Sequence, residues 1–215
     1  YVSLNPWIGG AIAVAEAARN VVCAGAEPLA ITNGLNYGNP EKPEVFWQLE
    51  ESVKGMRDAC EALGTPVTGG NVSLYNVTDG ESVCPTPLVG MIGSVHDLEH
   101  ITEQHFRQPG DRILLFGDTA PELDGSEWQY VREGKVSGYP PRIDLAKEHA
   151  VQSAVLQAIQ TGRARSAHDL SEGGLAVALA ESCFGNGLGA NIAIDTELSA
   201  AEFLFSESHS RIMLS

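Results

Sequence analysis

The sequence predicts an α/β protein with mixed sheets, and three observations lead there. Two stretches near the start repeat apolar residues in steps of three and four, as amphipathic helices do. Short apolar runs bounded by Gly, Asn and Pro lie between and after them, each of strand length. A polar, turn-rich stretch, "HDLEHITEQHFRQPGD", then separates this pattern from a second one, so two domains are expected, residues 1–107 and 108–215.

Each element has its own signal. Asn5-Pro6 reads as a helix cap followed by Pro at the first helical position. The helix after it carries Ile8, Ala11, Ala15, Ala18 and Val22 on one side and ends near Gly25; those small residues suggest close packing against a sheet. Leu29 to Thr32 reads as a buried strand entering a loop of Asn and Gly. Pro43 opens a second helix with Val45, Leu49, Val53, Met56, Cys60 and Leu63 on its apolar face, stopped by Gly64. A strand from Thr65 runs into Gly69-Gly70, and Pro87 to Val95 forms the next. After the connector, "DRILLFGDT" restarts with a strand and "GSEWQYVREGKVSGYPPR" reads as loop. Asp144 caps a helix through Ile159 that Gly162 ends. "RSAHDLSEGGLAVALAESCFGNGLG" reads as a short strand, a tight loop and a helix capped by Ser171 and stopped at Gly185. "ANIAID" and "FLFSESHSRIMLS" supply two further strands.

A formal net charge of -15 argues against binding to DNA, RNA or an anionic membrane, which calls for clustered Lys and Arg. It is compatible with a small phosphorylated ligand held by backbone N–H groups and a metal ion. No apolar run reaches the ~20 residues of a membrane span, and no signal-peptide pattern is present. Cys23, Cys60, Cys84 and Cys183 lack CxxC spacing, which suggests buried reduced thiols in a cytoplasmic protein. Trp7, Trp47 and Trp128 read as packing residues, and His96 and His100 as surface histidines without a partner carboxylate. The chain opens at "YVSLNP" and stops at "RIMLS" in the middle of an apparent strand, so a piece of a longer polypeptide is expected.

Three stretches read as loops that join glycines to short polar side chains: "TNGLNYGNP" (32–40), "TGGNVSLYN" (68–76) and "AHDLSEGGLA" (167–176). None contains Lys or Arg, so any phosphate there must be held by backbone N–H groups and a cation. Asn71 offers a metal one amide oxygen, and Ser73, two residues on, faces the same side of an extended segment. Asp169 precedes a helix N-terminus, whose dipole favours its ionised form. Ordinary turn and capping chemistry accounts for each loop as well, and none matches a Walker A or dinucleotide fingerprint.

Taken together, "NPWIGGAIAVAEAARNVVCAGAEPLAITNGLNYGNP", "TPVTGGNVSLYN", "AHDLSEGGLAVALAE" and "LFSESHSR" resemble the second half of the small form of phosphoribosylformylglycinamidine synthase. That family belongs to the aminoimidazole ribonucleotide synthetase-like superfamily. The resemblance implies an incomplete N-terminal α/β domain that pairs into a barrel, followed by the matching, incomplete C-terminal α/β domain. It implies ATP-dependent conversion of formylglycinamide ribonucleotide to its amidine in purine biosynthesis, with ATP and Mg²⁺ as cofactors. The implied partners are the missing first half of the same polypeptide, a glutaminase subunit supplying ammonia and a small accessory subunit. By resemblance, Asn33 and Gly70 contact ATP, Asn71 ligates magnesium and Ser73 touches the substrate, while Asp169, Glu207 and Ser208 line an auxiliary pocket. The family often has Asp where Asn33 stands, so a direct magnesium role for Asn33 is not implied. The catalytic histidine, lysine and magnesium carboxylates of the family lie in segments absent here, so the chain alone is expected to be inactive. The alternatives are a non-catalytic module holding a structural nucleotide and another ATP-using enzyme of the superfamily.

Overall fold

A computed structural model describes all 215 residues. Helix α1 (Pro6–Cys23) begins where expected: the Asn5 side chain accepts from the Ile8 N–H at 3.0 Å. Helix α2 (Pro43–Leu63) stops at Gly64, whose φ of 69° lets its N–H turn back to the Cys60 carbonyl. The two helices pack against each other at glycines. A Cβ on Gly10 would lie 2.2 Å from the Ser52 carbonyl oxygen, and one on Gly55 would lie 1.9 Å from that of Trp7. The small face of α1 therefore serves chiefly the contact with α2, and only in part the sheet contact read from the sequence.

Strands β1 (Glu27–Asn36), β2 (Val67–Ser73), β3 (Val77–Thr78), β4 (Glu81–Ser82) and β5 (Thr86–Ser94) follow in chain order with α2 between the first two. The main sheet has the order β2-β1-β5, with β1 parallel to β2 and antiparallel to β5; β3 and β4 form a small hairpin. Ile31 and Leu35 face a core with Ala11, Val14, Tyr37, Val45 and Met56, against which Val89 and Met91 also pack. That helix-covered face alternates with an open one carrying Thr32, Gly34, Leu88 and Ile92; Leu88 is 59% exposed and Ile92 65%.

A connector with one 3₁₀ turn, Leu98–His100, leads to β6 (Leu114–Phe116), α3 (Glu127–Glu133), α4 (Leu145–Gln160), β7 (Ala167–Asp169), α5 (Gly174–Phe184), α6 (Ala200–Phe205) and β8 (Ile212–Leu214). The second sheet is antiparallel with the order β6-β8-β7. Asp144 caps α4 as expected, accepting from the Ala146 and Lys147 N–H groups.

Several expectations need correction. Asn33–Asn36 and Gly69–Ser73 are strand, not loop, because the parallel β1–β2 ladder runs through both. The stretch read as loop after Gly125 contains α3, capped by the Ser126 hydroxyl. Helix α5 starts from Gly173, at φ 76°, and not from Ser171. Residues 190–195 form no strand, and of the last run only Ile212–Leu214 does, since its beginning completes α6 behind a Ser199–Glu202 capping box. Cys23 and Cys60 are buried free thiols, but Cys84 is exposed. Trp47 is 51% exposed, whereas Trp128 stacks on Phe205 and Trp7 donates to Asp58. His96 does have a carboxylate partner, Glu27, at 2.9 Å.

Candidate functional site

The parallel pair β1–β2 brings the four leading site residues side by side and divides them between its two faces. Asn33 opposes Gly70, Gly34 opposes Asn71, and Asn36 opposes Ser73. A Cβ on Gly70 would fall 2.3 Å from Asn33 Oδ1 and 2.2 Å from its carbonyl oxygen, so Asn33 lies over Gly70 on the face shared with Leu35. Asn71 Oδ1 lies over Gly34, 3.2 Å from where a Cβ would stand, and so belongs to the open face with Ser73. Gly70 is thus required by its own neighbour. Gly69 is the residue with nothing within 4 Å of a Cβ position, and it leaves bare backbone on the open face beside Thr32. An extra residue, Thr68, is absorbed just before this point, where the pairing jumps from Ile31–Val67 to Thr32–Gly69 and the Thr68 hydroxyl donates to the Ile31 carbonyl.

Sequence reasoning missed Asn76. Its Nδ2 donates to the Tyr37 carbonyl (3.1 Å), the Ser73 carbonyl (2.9 Å) and the Ser73 hydroxyl (3.1 Å). It closes a turn in which Tyr75 takes a left-handed φ of 61°, and so fixes the end of β2 against the chain leaving β1. The signal available was an Asn three residues after Ser73, a spacing that permits a side chain to close a turn on the backbone.

The other three candidates sit far from this strand pair, in a buried polar belt. Ser206 to Arg211 is 6% exposed or less at every residue. Glu207 Oε1 accepts from the Glu127 and Gly173 N–H groups, both at 2.9 Å, and Oε2 accepts from the Tyr1 hydroxyl. One carboxylate thereby satisfies orphan donors at the starts of α3 and α5. Ser208 donates to Glu122 at 2.8 Å and accepts from the Ala120 N–H at 3.0 Å. Asp169 lies at the end of β7, with Arg19 Nε at 3.9 Å from Oδ2, an ion pair too long to be a hydrogen bond. Its counter-charge is Arg19 and His168, not a helix terminus.

Arg19, from α1, also meets Glu148 of α4 at 2.9 Å with both side chains fully buried. The Gln152 amide and the Ser210 hydroxyl, each at 2.7 Å, donate the other hydrogen bonds that Glu148 accepts. Burial alone would lower the Arg19 pKa, but the Glu148 and Asp169 charges outweigh it and raise it. Desolvation, with the Arg19 and Arg211 charges, pushes His209 well below the ordinary imidazole value. Desolvation, opposed by Arg19 and reinforced by Asp169, Glu172 and Glu207, pushes Glu16 up.

No group of three or more His, Cys, Asp or Glu side chains is arranged to hold a metal ion. Asn71 supplies one neutral oxygen, whereas magnesium sites rest on near-octahedral oxygen sets with carboxylates or phosphates. The residues present do not by themselves fit a magnesium site.

Residues 1–95 match the family described as AIR synthase related protein, N-terminal domain, and residues 108–215 match AIR synthase related protein, C-terminal domain. The chain belongs to the AIR synthase related family. Its fold is that of this family, a mixed α/β arrangement of the N-terminal and C-terminal domains in succession. Among solved structures it is similar to T. maritima PurL complexed with FGAR, over 99% of this chain and 35% of that one, at 20% identity and a TM-score of 0.75. T. maritima PurL complexed with ATP gives 99% and 33% coverage, 20% identity and a TM-score of 0.71. PurLQS from Thermotoga maritima gives 98% and 29%, with 26% identity and a TM-score of 0.64. This member of the family therefore spans about a third of the length of the PurL chains it matches. No helix in it is long and apolar enough to cross a membrane.

Proposed function

We propose that this chain forms the second, ATP-contacting portion of a cytoplasmic, PurL-type synthetase. That enzyme converts formylglycinamide ribonucleotide to formylglycinamidine ribonucleotide in purine biosynthesis, an ATP-dependent C–N ligation. The observation that carries the reading is the β1–β2 strand pair. It presents Asn71 and Ser73 beside the bare backbone of Gly69 on an open sheet face, with Asn33 and Gly70 behind them. The open face, with Leu88 and Ile92 in water, is the surface on which the first portion of the same polypeptide would complete a barrel.

In this reading ATP lies against the Gly69–Gly70 backbone on the open face, and Asn33, on the opposite face, serves it by seating Gly70. Ser73, held by Asn76, donates to or accepts from an oxygen of the ribonucleotide. ATP supplies the activation of the substrate amide, and ammonia comes from a glutaminase subunit assembled with a small accessory subunit. Magnesium would arrive with the ATP phosphates, and in this reading Asn71 would add one neutral ligand to it. The boundary between the two domains is proposed at residues 107/108, inside the connector. Of the auxiliary set, Glu207 and Ser208 already have partners, and Asp169 Oδ2 is buried without a hydrogen bond, beside Arg19.

Titration of Mg²⁺-ATP into this chain and into a polypeptide that also carries the first portion tests the reading. The longer polypeptide is expected to bind ATP and, with ammonium, to form the amidine; the 215-residue chain is expected to form none. A longer polypeptide that binds no ATP, or turnover by this chain alone, overturns it.

A further inference from the structure

The second sheet ends on an unpaired strand. Ser166 and Ser215 exchange both backbone hydrogen bonds, and the Leu170 N–H donates to the Arg211 carbonyl. Antiparallel pairing alternates, so Met213 bonds to His168 of β7, while Leu214 and Ile212 turn their backbone groups towards Leu114 and Phe116 of β6. The N–H and C=O of Leu115 therefore face the free edge. A cavity flanks each face of that edge. One, of about 720 Å³, is walled by Ile113, Leu115, Leu175, Leu179 and Phe203. The other, of about 580 Å³, is walled by Phe116, Arg163 and Arg165, the last paired with Asp111, and Arg112 and Leu114 line both.

The segment Ala190-Asn191-Ile192-Ala193-Ile194-Asp195 lines the first cavity up to Ile194 but has no regular structure. Ile192 and Ile194 stand two apart, as on one side of a strand, with Asn191, the small Ala193 and Asp195 on the other. Ile192 is 39% exposed and Ile194 44%, and Leu114 across from them is 54% exposed. Glycines at 185, 187 and 189 precede the segment, Gly187 in the left-handed region at φ 64°. The capping box of α6 anchors the far end at Ser199.

We propose that residues 190–195 are a strap that docks on β6 as a fourth strand. Six extended residues reach about 20 Å, longer than the three-residue β6 needs. In the docked form Ile192 and Ile194 enter the apolar cavity from one side of the strand. Asn191, Ala193 and Asp195 take the other side, where Asp195 meets the arginine-lined face. The Leu115 N–H gains a carbonyl, and the open edge, a template for unwanted pairing between chains, is covered. The glycine-rich stretch before the segment is the hinge.

Amide hydrogen exchange on the full chain, resolved by residue, tests this. The Leu115 amide is expected to exchange roughly 100-fold or more slowly than an unprotected amide. In the Ile192→Asp/Ile194→Asp variant it is expected to return to within about tenfold of the unprotected rate. The Met213 amide, which donates to β7, serves as the control and stays protected in both. Leu115 exchange at the unprotected rate in the natural chain overturns the proposal, as does unchanged Leu115 protection in the variant. Should the Met213 amide lose protection, showing that the double variant unfolds, Ile194→Ser alone is read by the same two outcomes.

Discussion

Replacing Arg19 by Met removes the cation that Glu148 and Asp169 share in a buried cluster. Arg19 and Glu148 are each 0% exposed, and Asp169 has no hydrogen bond to Oδ2. Without the guanidinium, Glu148 keeps only the neutral donors Gln152 and Ser210, so its charge stays buried without its counter-ion, while Asp169 is left with His168 alone. Removing one partner of a buried pair costs about 3–5 kcal/mol, two to nearly four powers of ten in the folding equilibrium. Whole-domain stability is about 5–15 kcal/mol, so the loss is a large share of it. Urea unfolding followed by tryptophan fluorescence and far-UV dichroism measures it. The double variant Arg19→Met/Glu148→Gln, which no longer buries the Glu148 charge, should regain a substantial part. Strict additivity of the two single costs, or a cost below about 1 kcal/mol for Arg19→Met, would refute the claim that the pair is coupled and buried.

His209 is held neutral by burial and by Arg19 and Arg211, so its folded pKa is depressed below its unfolded one. The unfolded imidazole takes the proton first, and this group's share of stability is complete above the unfolded value and lost as pH falls below it. The slope is at most ~1.4 kcal/mol per pH unit, and His209→Asn should flatten the pH 7-to-5 stability profile. His168 acts in the opposite sense. Burial lowers its pKa, but hydrogen bonds to Asp169 and Glu181 outweigh that and raise it, so its share is lost as pH rises. Gly55→Ala forces a methyl against the Trp7 carbonyl and should cost about 1–3 kcal/mol in the same urea assay; a neutral substitution would mean that α1 and α2 can separate freely. In the longer polypeptide, Asn71→Ala should slow catalysis about 10- to 100-fold with partial recovery at high Mg²⁺. Ser73→Ala should raise the KM for the ribonucleotide at unchanged magnesium dependence; steady-state kinetics at varied Mg²⁺ distinguish the two.

Helices were the most legible elements, because caps and stops are local chemistry. Asn5-Pro6, Gly64 and Asp144 each mark a terminus that the structure keeps. The glycine-rich strand ends were misread as loops for the opposite reason. Asn33 to Asn36 and Gly69 to Ser73 have poor strand propensity, and only their mutual ladder makes them strands. Helix α3 hid in a loop-like composition and is secured by tertiary contacts: the Glu207 carboxylate at its first N–H and Phe205 against Trp128. Of the site, the residue types and their spacing were visible in the sequence. Their division between two faces of the sheet was not, because it depends on the register set by the extra residue Thr68. The role of Glu207, filled by donors some 80 and 34 residues away in sequence, had no local signal at all.

The joint between the N-terminal and C-terminal parts bears on how relatives of this protein can be recombined. Its apolar portion, where Val22 and Cys23 pack with Val155, Ile159 and Ile212, would accept a partner of similar shape, but the rest is a set of matched donors and acceptors. Arg19 on α1 answers Glu148 on α4 and Asp169 on β7, and Tyr1 answers Glu207. A chimera that grafts the C-terminal part of one relative onto the N-terminal part of another inherits one side of each pair. It should fold only if residues 1 and 19 are exchanged together with 148, 169 and 206–211, so these positions form one unit of inheritance although almost the whole chain lies between them.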